Sequence, residues 1–184
     1  MNKKMNNSIE NVFFSTNQQK VLRFLAKNPM KGLMASEIIK DTKLSKSGVN
    51  LALSSLVRAN FVEKEVKGKT YLYQINHNRP LVKQFKVIEN IVKLSSLLKK
   101  LGNINAVNQV IIFGSAARGE NYIDSDIDLF VLAHDKQEVV EIFSKIKSVQ
   151  AIVKTPAELV SMEKKNPVLC QEIGRGIVIL EKYD

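Results

Sequence analysis

The chain has 184 residues, 45% of them hydrophobic and 25% charged, with a formal net charge of +10. That is enough apolar material to bury a core without disulfide or metal staples. Its longest apolar runs, such as residues 110–113, fall far short of the roughly 20 residues that a bilayer-crossing helix needs, and one cysteine and two histidines exclude an internal disulfide and a zinc cluster.

Residues 1–20 carry Lys3 and Lys4 but run on into asparagines and glutamines, with no apolar stretch and no small-residue cleavage site. No secretion is expected, and the compartment read from the sequence is the cytoplasm, with no membrane partner. Charge is divided unevenly. Residues 1–101 hold 19 Lys/Arg against 6 Asp/Glu, a net +13, whereas residues 102–184 hold 9 against 12. A basic half attracts polyanions and releases counterions from a duplex. A solvated basic face has the same composition, and charge alone does not choose between the two.

Residues 17–27 place Val21, Leu22 and Leu25 at helical spacing. Asn28-Pro29 stops that helix, because proline pushes the residue before it out of helical geometry. Met34, Ile38 and Ile39 mark a second, short helix ending near Asp41. Ser45 caps a third, in which Val49, Leu53, Leu56 and Val57 recur at i, i+4, i+7 and i+8. The few residues between the second and third helices are the length that a helix-turn-helix uses. Residues 61–66 and 70–75, rich in β-branched and aromatic side chains, flank Lys67-Gly68-Lys69 and predict a hairpin with a basic tip. Tyr71 and Tyr73 read as hairpin core.

Over residues 15–78 this pattern resembles the winged helix-turn-helix domains of bacterial and archaeal transcription regulators. The resemblance implies duplex DNA as a partner. Lys46, Ser47, Asn50 and Ser54 on the third helix would then meet bases and phosphates, with Asn50 suited to an adenine edge. Arg58, Lys67 and Lys69 would touch the backbone, the last two from the wing. Winged helices also dock proteins, in which case these residues are the polar side of an amphipathic helix.

From Pro80 to Leu101 no glycine or proline interrupts the chain. Leu81, Phe85, Ile88 and Val92 form one apolar stripe and Ile91, Leu94 and Leu98 an adjacent one, so a single helix is predicted, stopped at Gly102. Two stripes are more than one small neighbour covers. The helix is expected to pack between domains or between two subunits, which makes a homodimer the expected assembly.

The second half carries the chemistry. Residues 107–113 read as a buried strand, followed at once by Gly114-Ser115-Ala116-Ala117-Arg118-Gly119-Glu120 and then by Ser125-Asp126-Ile127-Asp128-Leu129. A strand that breaks at Gly-Ser lets backbone approach a phosphate closely, and a helix starting there points amide donors at it. In the second strand Asp126 and Asp128 project to one face while Ile127 and Leu129 face the core. Two carboxylates so close repel each other unless a cation sits between them, and a hard divalent ion such as Mg2+ satisfies oxygen ligands. The bland alternative, a turn rich in Asp124, Ser125 and Asp126, explains neither the Gly-Ser after an apolar strand nor Asp128 inside one.

Gly114-Ser115, ten residues, then Asp126-x-Asp128 resembles the signature of the DNA polymerase β-like nucleotidyltransferase superfamily, in particular its minimal nucleotidyltransferases, over about residues 103–184. The resemblance implies transfer of a nucleoside monophosphate, usually AMP from ATP, to an acceptor hydroxyl, with Mg2+ or Mn2+ as cofactor. Gly114 and Ser115 would hold the triphosphate, Arg118 would offset its charge, and Asp126 and Asp128 would hold the metal and serve as the catalytic acidic pair. It also implies a possible protein acceptor, such as a toxin of the HEPN type. Active members usually add a third carboxylate from a neighbouring strand. Residues 148–153 offer none, and Gln150 is expected in that place; glutamine neither accepts a proton near neutral pH nor balances a cation. Glu158 reads as part of a capping box begun by Thr155, Glu141 as an exposed helix residue, and Cys170 as a small buried hydrophobe.

The reading is an α/β (α+β) protein: a winged helix-turn-helix over residues 1–79, a linker helix over 80–102, and a nucleotidyltransferase domain with a mixed sheet flanked by helices over 103–184. The rival reading is a DNA-binding regulator or antitoxin-like protein whose second domain is catalytically weak or inactive, which Gln150 and the basic first half favour.

Overall fold

The computed structural model describes residues 9–122 and 125–182. Lys3 and Lys4 of the N-terminal stretch and Asp124 of the aspartate-rich turn lie outside the described residues. The chain divides into two units, Met1–Lys86 and Val87–Asp184, each with its own core.

The first unit runs through α1 (Ile9–Phe13), α2 (Asn17–Lys27), β1 (Leu33–Met34), α3 (Ala35–Thr42), α4 (Lys46–Arg58), β2 (Val62–Lys67) and β3 (Thr70–Ile75). Thr16 and Gln19 cap α2 reciprocally, and the Ser45 hydroxyl accepts the Gly48 N–H at 3.1 Å to start α4, satisfying amides that have no intrahelical partner. Val21 and Leu25 of α2, Ile38 of α3 and Val49 and Leu53 of α4 close on Val62 and Ile75 of the hairpin. The strands lie in the order β1-β3-β2, all antiparallel. Three helices backed by a hairpin make this a winged helix-turn-helix unit.

Two details differ from the sequence reading. The two-residue β1, opposite Leu72 and Tyr73, is too short to leave a periodic signal. Tyr71 is not hairpin core: it pairs with Val66 near the distal end of the wing and is half exposed, with the Lys64 Nζ 3.6 Å from its ring centroid. Tyr73, two residues closer to the base, does pack against the core.

The division between the units falls inside α5 (Pro80–Lys93). Then follow α6 (Ser95–Gly102), β4 (Val107–Phe113), α7 (Gly114–Arg118), β5 (Ile127–Ala133), α8 (Gln137–Ser144), β6 (Val149–Lys154), α9 (Pro156–Lys165), α10 (Pro167–Gly174) and β7 (Ile177–Glu181). The predicted single helix over 80–102 is thus two. The Leu94 N–H is shared between the carbonyls of Asn90 and Ile91, at 3.2 and 3.1 Å, a tightened turn of the kind that interrupts a helix without glycine or proline. Leu94, Leu97 and Leu101 still enter one core.

The sheet of the second unit has the order β6-β5-β4-β7, with β5 and β6 parallel and the other neighbours antiparallel. Alternation along β4 and β5 sends Val110, Ile112, Leu129 and Val131 to one face, against Leu97 and Leu101 of α6 and Val139 and Phe143 of α8. Phe113 and Phe130 go to the other face, against Leu159 and Met162 of α9 and Leu169 and Ile173 of α10. Helices therefore cover both faces of a mixed sheet, as expected for an α/β unit. Among the described residues no helix is long and apolar enough to cross a membrane.

Candidate functional site

The strand order brings four chain segments to one edge of the second unit's sheet. β4 ends there at Phe113, and β5, β6 and β7 begin there. Phe113 pairs with Asp128, and Asp128 pairs with Gln150 on the other side. Asp128 therefore stands between the glycine bend that follows β4 and the first turn of β6.

Gly114 has φ +66°, and a Cβ built on it would lie 2.6 Å from Asp128 Oδ2. A side chain there would strain the left-handed backbone and displace the Asp128 carboxylate, both of which glycine avoids. The sequence reading had the glycine admit a phosphate; in the structure its missing side chain also makes room for the Asp128 carboxylate. Ser115 is half-buried at the start of α7, and Gly119, with φ +67°, ends that helix. The loop is pinned from behind by a buried amide pair. Asn90 Nδ2 donates to the Ala116 carbonyl at 2.9 Å and to Asn121 Oδ1 at 3.0 Å, and Asn121 Nδ2 donates back to Asn90 Oδ1 at 3.3 Å.

Asp126 is exposed just ahead of β5, and Asp128 is half-buried within it. Burial holds the Asp128 carboxyl above its ordinary range, and the negative charges of Glu172 and Asp126 push it further the same way. Gln150 sits where the sequence placed it, and its Nε2 donates to Asp126 Oδ2 at 3.4 Å. Among the described residues no group of three His, Cys, Asp or Glu side chains is placed to hold a metal ion. The pair of Asp126 and Asp128 nonetheless fits a hard divalent cation: the donors are all oxygen, and a positive charge would relieve the repulsion that raises Asp128. Such an ion would have to complete its shell with water or substrate oxygens.

The family described as "Polymerase beta, Nucleotidyltransferase" matches residues 92–184, half of the chain. The chain belongs to this family. Residues of this nucleotidyltransferase-family chain are also similar to protein adenylyltransferase MntA of Shewanella oneidensis, 28% identical over 81 residues. The match covers 44% of the chain and 57% of that protein, so the chain spans little more than half the length of this relative. Two solved structures show weaker likeness. MepR, a transcription regulator of the Staphylococcus aureus multidrug efflux pump MepA, is 18% identical with TM-score 0.40, over 50% of this chain and 69% of that one. A Sulfolobus solfataricus protein assigned as a nucleotidyltransferase is 21% identical with TM-score 0.35, over 53% and 88%. At these scores the fold rests on the strand order and register described above.

The nucleotidyltransferase unit also holds residues that the sequence reading passed over. Glu172, near the end of α10, adds a third acidic group whose charge reaches Asp128. It also engages Arg118, whose Nη1 lies 3.5 Å from Glu172 Oε1 while its Nε donates to Glu120 Oε2 at 3.0 Å. Arg118 lines a cleft with Gly114 and is already shared between two carboxylates. Glu158 is the reciprocal cap of α9 with Thr155 and pairs with Lys136, and Glu141 pairs with Lys145. Both stay outside the aspartate cluster.

In the winged-helix unit every residue singled out for DNA is exposed. Lys46, Ser47, Asn50 and Ser54 run along the open face of α4, and Arg58 closes it. Lys67 and Lys69 flank Gly68 at the wing tip, where φ is +62° and a Cβ added to the glycine would meet no atom within 4 Å. Leu51, exposed on the same helix, was not anticipated.

Proposed function

We propose that the second unit transfers AMP from ATP to a hydroxyl of a protein or nucleic-acid acceptor, and that the first unit binds duplex DNA. One observation carries the transferase reading: two carboxylates at the start of one strand, one of them packed into the space left by a left-handed glycine, in a chain of the nucleotidyltransferase family. The similarity to a protein adenylyltransferase supports AMP as the group and a protein as the acceptor.

In this reading the acceptor oxygen attacks the α-phosphorus, a new O–P bond forms, the bond to the β-phosphate oxygen breaks, and pyrophosphate leaves. Asp126 and Asp128 would hold Mg2+ or Mn2+, which supplies neutralisation of the charge gathering on the phosphates. Gly114 and Ser115 cradle the triphosphate, and Arg118 flanks it. Gln150 orients Asp126 through its amide N–H and cannot take the acceptor's proton. That proton passes to water or to a basic group brought by the acceptor.

The DNA reading is supported by the basic first half and by the exposed basic and amide side chains of α4 and the wing. Gln150 favours a second reading, a DNA-binding regulator or antitoxin-like protein whose nucleotidyltransferase unit turns over slowly or not at all. Incorporation of label from α-labelled ATP into an acceptor separates the two. The transferase reading expects incorporation that is lost in the double variant Asp126→Ala, Asp128→Ala; labelling that survives both changes rejects it. Wild-type protein that binds DNA and nucleotide without labelling any acceptor favours the regulator.

A further inference from the structure

The edge that gathers the aspartates and the glycine bend has a fourth contributor. β7 runs antiparallel to β4, with Ile112 opposite Ile177. Gly176 and Arg175 lead into that strand, and Arg175 lines the same cleft as Gly114. Gly176 fixes this approach: a Cβ there would meet the Ile112 carbonyl oxygen at 2.5 Å, Ile111 Cγ2 at 2.6 Å and the Ile173 carbonyl oxygen at 2.9 Å. Backbone on both sides of the clash cannot yield as a flexible side chain would. Arg175 is therefore held in place, its N–H bonded to the carbonyls of Gln171 and Glu172 at 3.2 Å each.

Arg175 is exposed and lines, together with Gly114, Ala117, Arg118 and Glu172, a cleft of about 260 Å³ between α7 and α10. That is smaller than the roughly 300–1,000 Å³ of sites that enclose a whole small molecule, so the cleft suits the phosphate end of a nucleotide. Two guanidinium groups face it. Arg118 is engaged by Glu120 and Glu172, whereas among the described residues no carboxylate pairs with Arg175. Glu172 lines the cleft too, Glu120 is bonded to Arg118, and the charge of Glu172 reaches Asp128 beside Gly114, so a bare polyphosphate would be repelled. A cation at the aspartates removes part of that barrier on one side of Gly114. An uncommitted arginine on the other side removes more, and its planar fork matches two phosphate oxygens.

We propose that Arg175 binds the β- and γ-phosphates of the nucleoside triphosphate, on the side of Gly114 opposite the aspartates, and is a stronger phosphate ligand than Arg118. This rests on the nucleotide-binding reading above. It is tested on the full chain by calorimetric titration with Mg-ATP, Mg-tripolyphosphate and AMP. Arg175→Ala is expected to weaken Mg-ATP and Mg-tripolyphosphate roughly 10- to 100-fold, the scale of a lost charge-assisted hydrogen-bonded pair, and to change AMP affinity less than threefold. Arg175→Lys is expected to recover part of the loss, and Arg118→Ala to lose less than Arg175→Ala. An arginine that merely steadies the end of α10 would instead lower the melting temperature of the free protein and leave the ATP-to-AMP affinity ratio unchanged. That result, or Mg-ATP binding by Arg175→Ala within twofold of wild type, overturns the proposal while leaving the nucleotide reading intact. Failure of the wild-type chain to bind Mg-ATP at all overturns both.

Discussion

Gly114→Ala isolates what the glycine bend does. At φ +66° an alanine incurs the left-handed penalty of about 1–2 kcal/mol. For a unit of this size that is a fall of roughly 4–16 °C in melting temperature. Gly68, at the wing tip, has a similar φ of +62° with nothing within 4 Å of the added carbon, so Gly68→Ala carries the same backbone penalty in the other unit and no collision. The two variants differ in one respect. At Gly114 the new methyl would stand 2.6 Å from Asp128 Oδ2, and reaching an ordinary separation of about 3.5 Å requires the carboxylate to move by roughly 1 Å. A displacement of that size at a reacting centre is worth about 100-fold in rate.

The expected pattern is therefore specific. Both variants lose thermal stability, but only Gly114→Ala also loses the gain in melting temperature that Mg-ATP confers on a native-state binder, together with about 100-fold in label transfer. The assay is a thermal melt of the full chain with and without Mg-ATP, followed by labelling from α-labelled ATP. If Gly114→Ala keeps the full Mg-ATP gain and wild-type labelling, the Asp128 carboxylate does not act where the glycine lets it sit, and the site has been misplaced.

Four other perturbations follow from the same geometry. Asp128 has a raised folded-state pKa, so the native state holds its proton more tightly than the unfolded chain; stability from this group is fully present below the unfolded value of 3.8 and is lost as pH rises through the raised folded value. Asp128→Asn should accordingly raise the metal-free melting temperature at neutral pH, flatten that pH dependence and abolish stabilisation by Mg2+, as melts across pH 3–8 would show. Gln150→Glu removes the amide donor to Asp126 and adds a charge, so the metal-free protein should melt lower and gain more from Mg2+ than wild type. Asn90→Ala strips the buried partner from the Ala116 carbonyl and from Asn121, with an expected loss of about 1–3 kcal/mol in denaturant unfolding. Lys67→Ala with Lys69→Ala should reduce the slope of log affinity for duplex DNA against log salt by about 2, and an unchanged slope would remove the wing from the interface.

How much of this was legible in the sequence depends on how local each feature is. α2 and α4 announce themselves by caps and apolar spacing within a dozen residues, and the Gly114–Asp128 motif by residue types 14 positions apart. The placement of Gln150 followed from the neighbouring-strand carboxylate that the family resemblance implies, and the structure sets Gln150 opposite Asp128. Features set by tertiary register were not legible. β1 exists only because Leu72 and Tyr73 lie across from it, the break at Leu94 leaves no glycine or proline behind, and the exposure of Tyr71 follows from its place near the distal end of the wing. Glu172 and Arg175 belong to the same class: nothing in residues 167–180 marks them until β7 folds back beside β4 and carries them to the glycine bend.

That distinction bears on the missing carboxylate. A single strand pattern read Gln150 as a deficit of negative charge, yet the folded edge carries Glu172 as well, delivered from α10 and close enough to raise Asp128. Glu172 does not replace a carboxylate on β6, because it is tied to Arg118 and no third ligand joins the aspartates among the described residues. The acidity at this edge is therefore split. Glu172 lines the cleft and holds one of its two arginines, while Asp126 and Asp128, with Gln150 donating to the former, stay outside that lining. Binding a polyphosphate would then trade the Glu172–Arg118 pair for new ones, and Glu172→Gln should tighten Mg-tripolyphosphate while leaving Mg2+ affinity unchanged. Looser polyphosphate binding in that variant would mean that Glu172 instead positions Arg118 for the ligand.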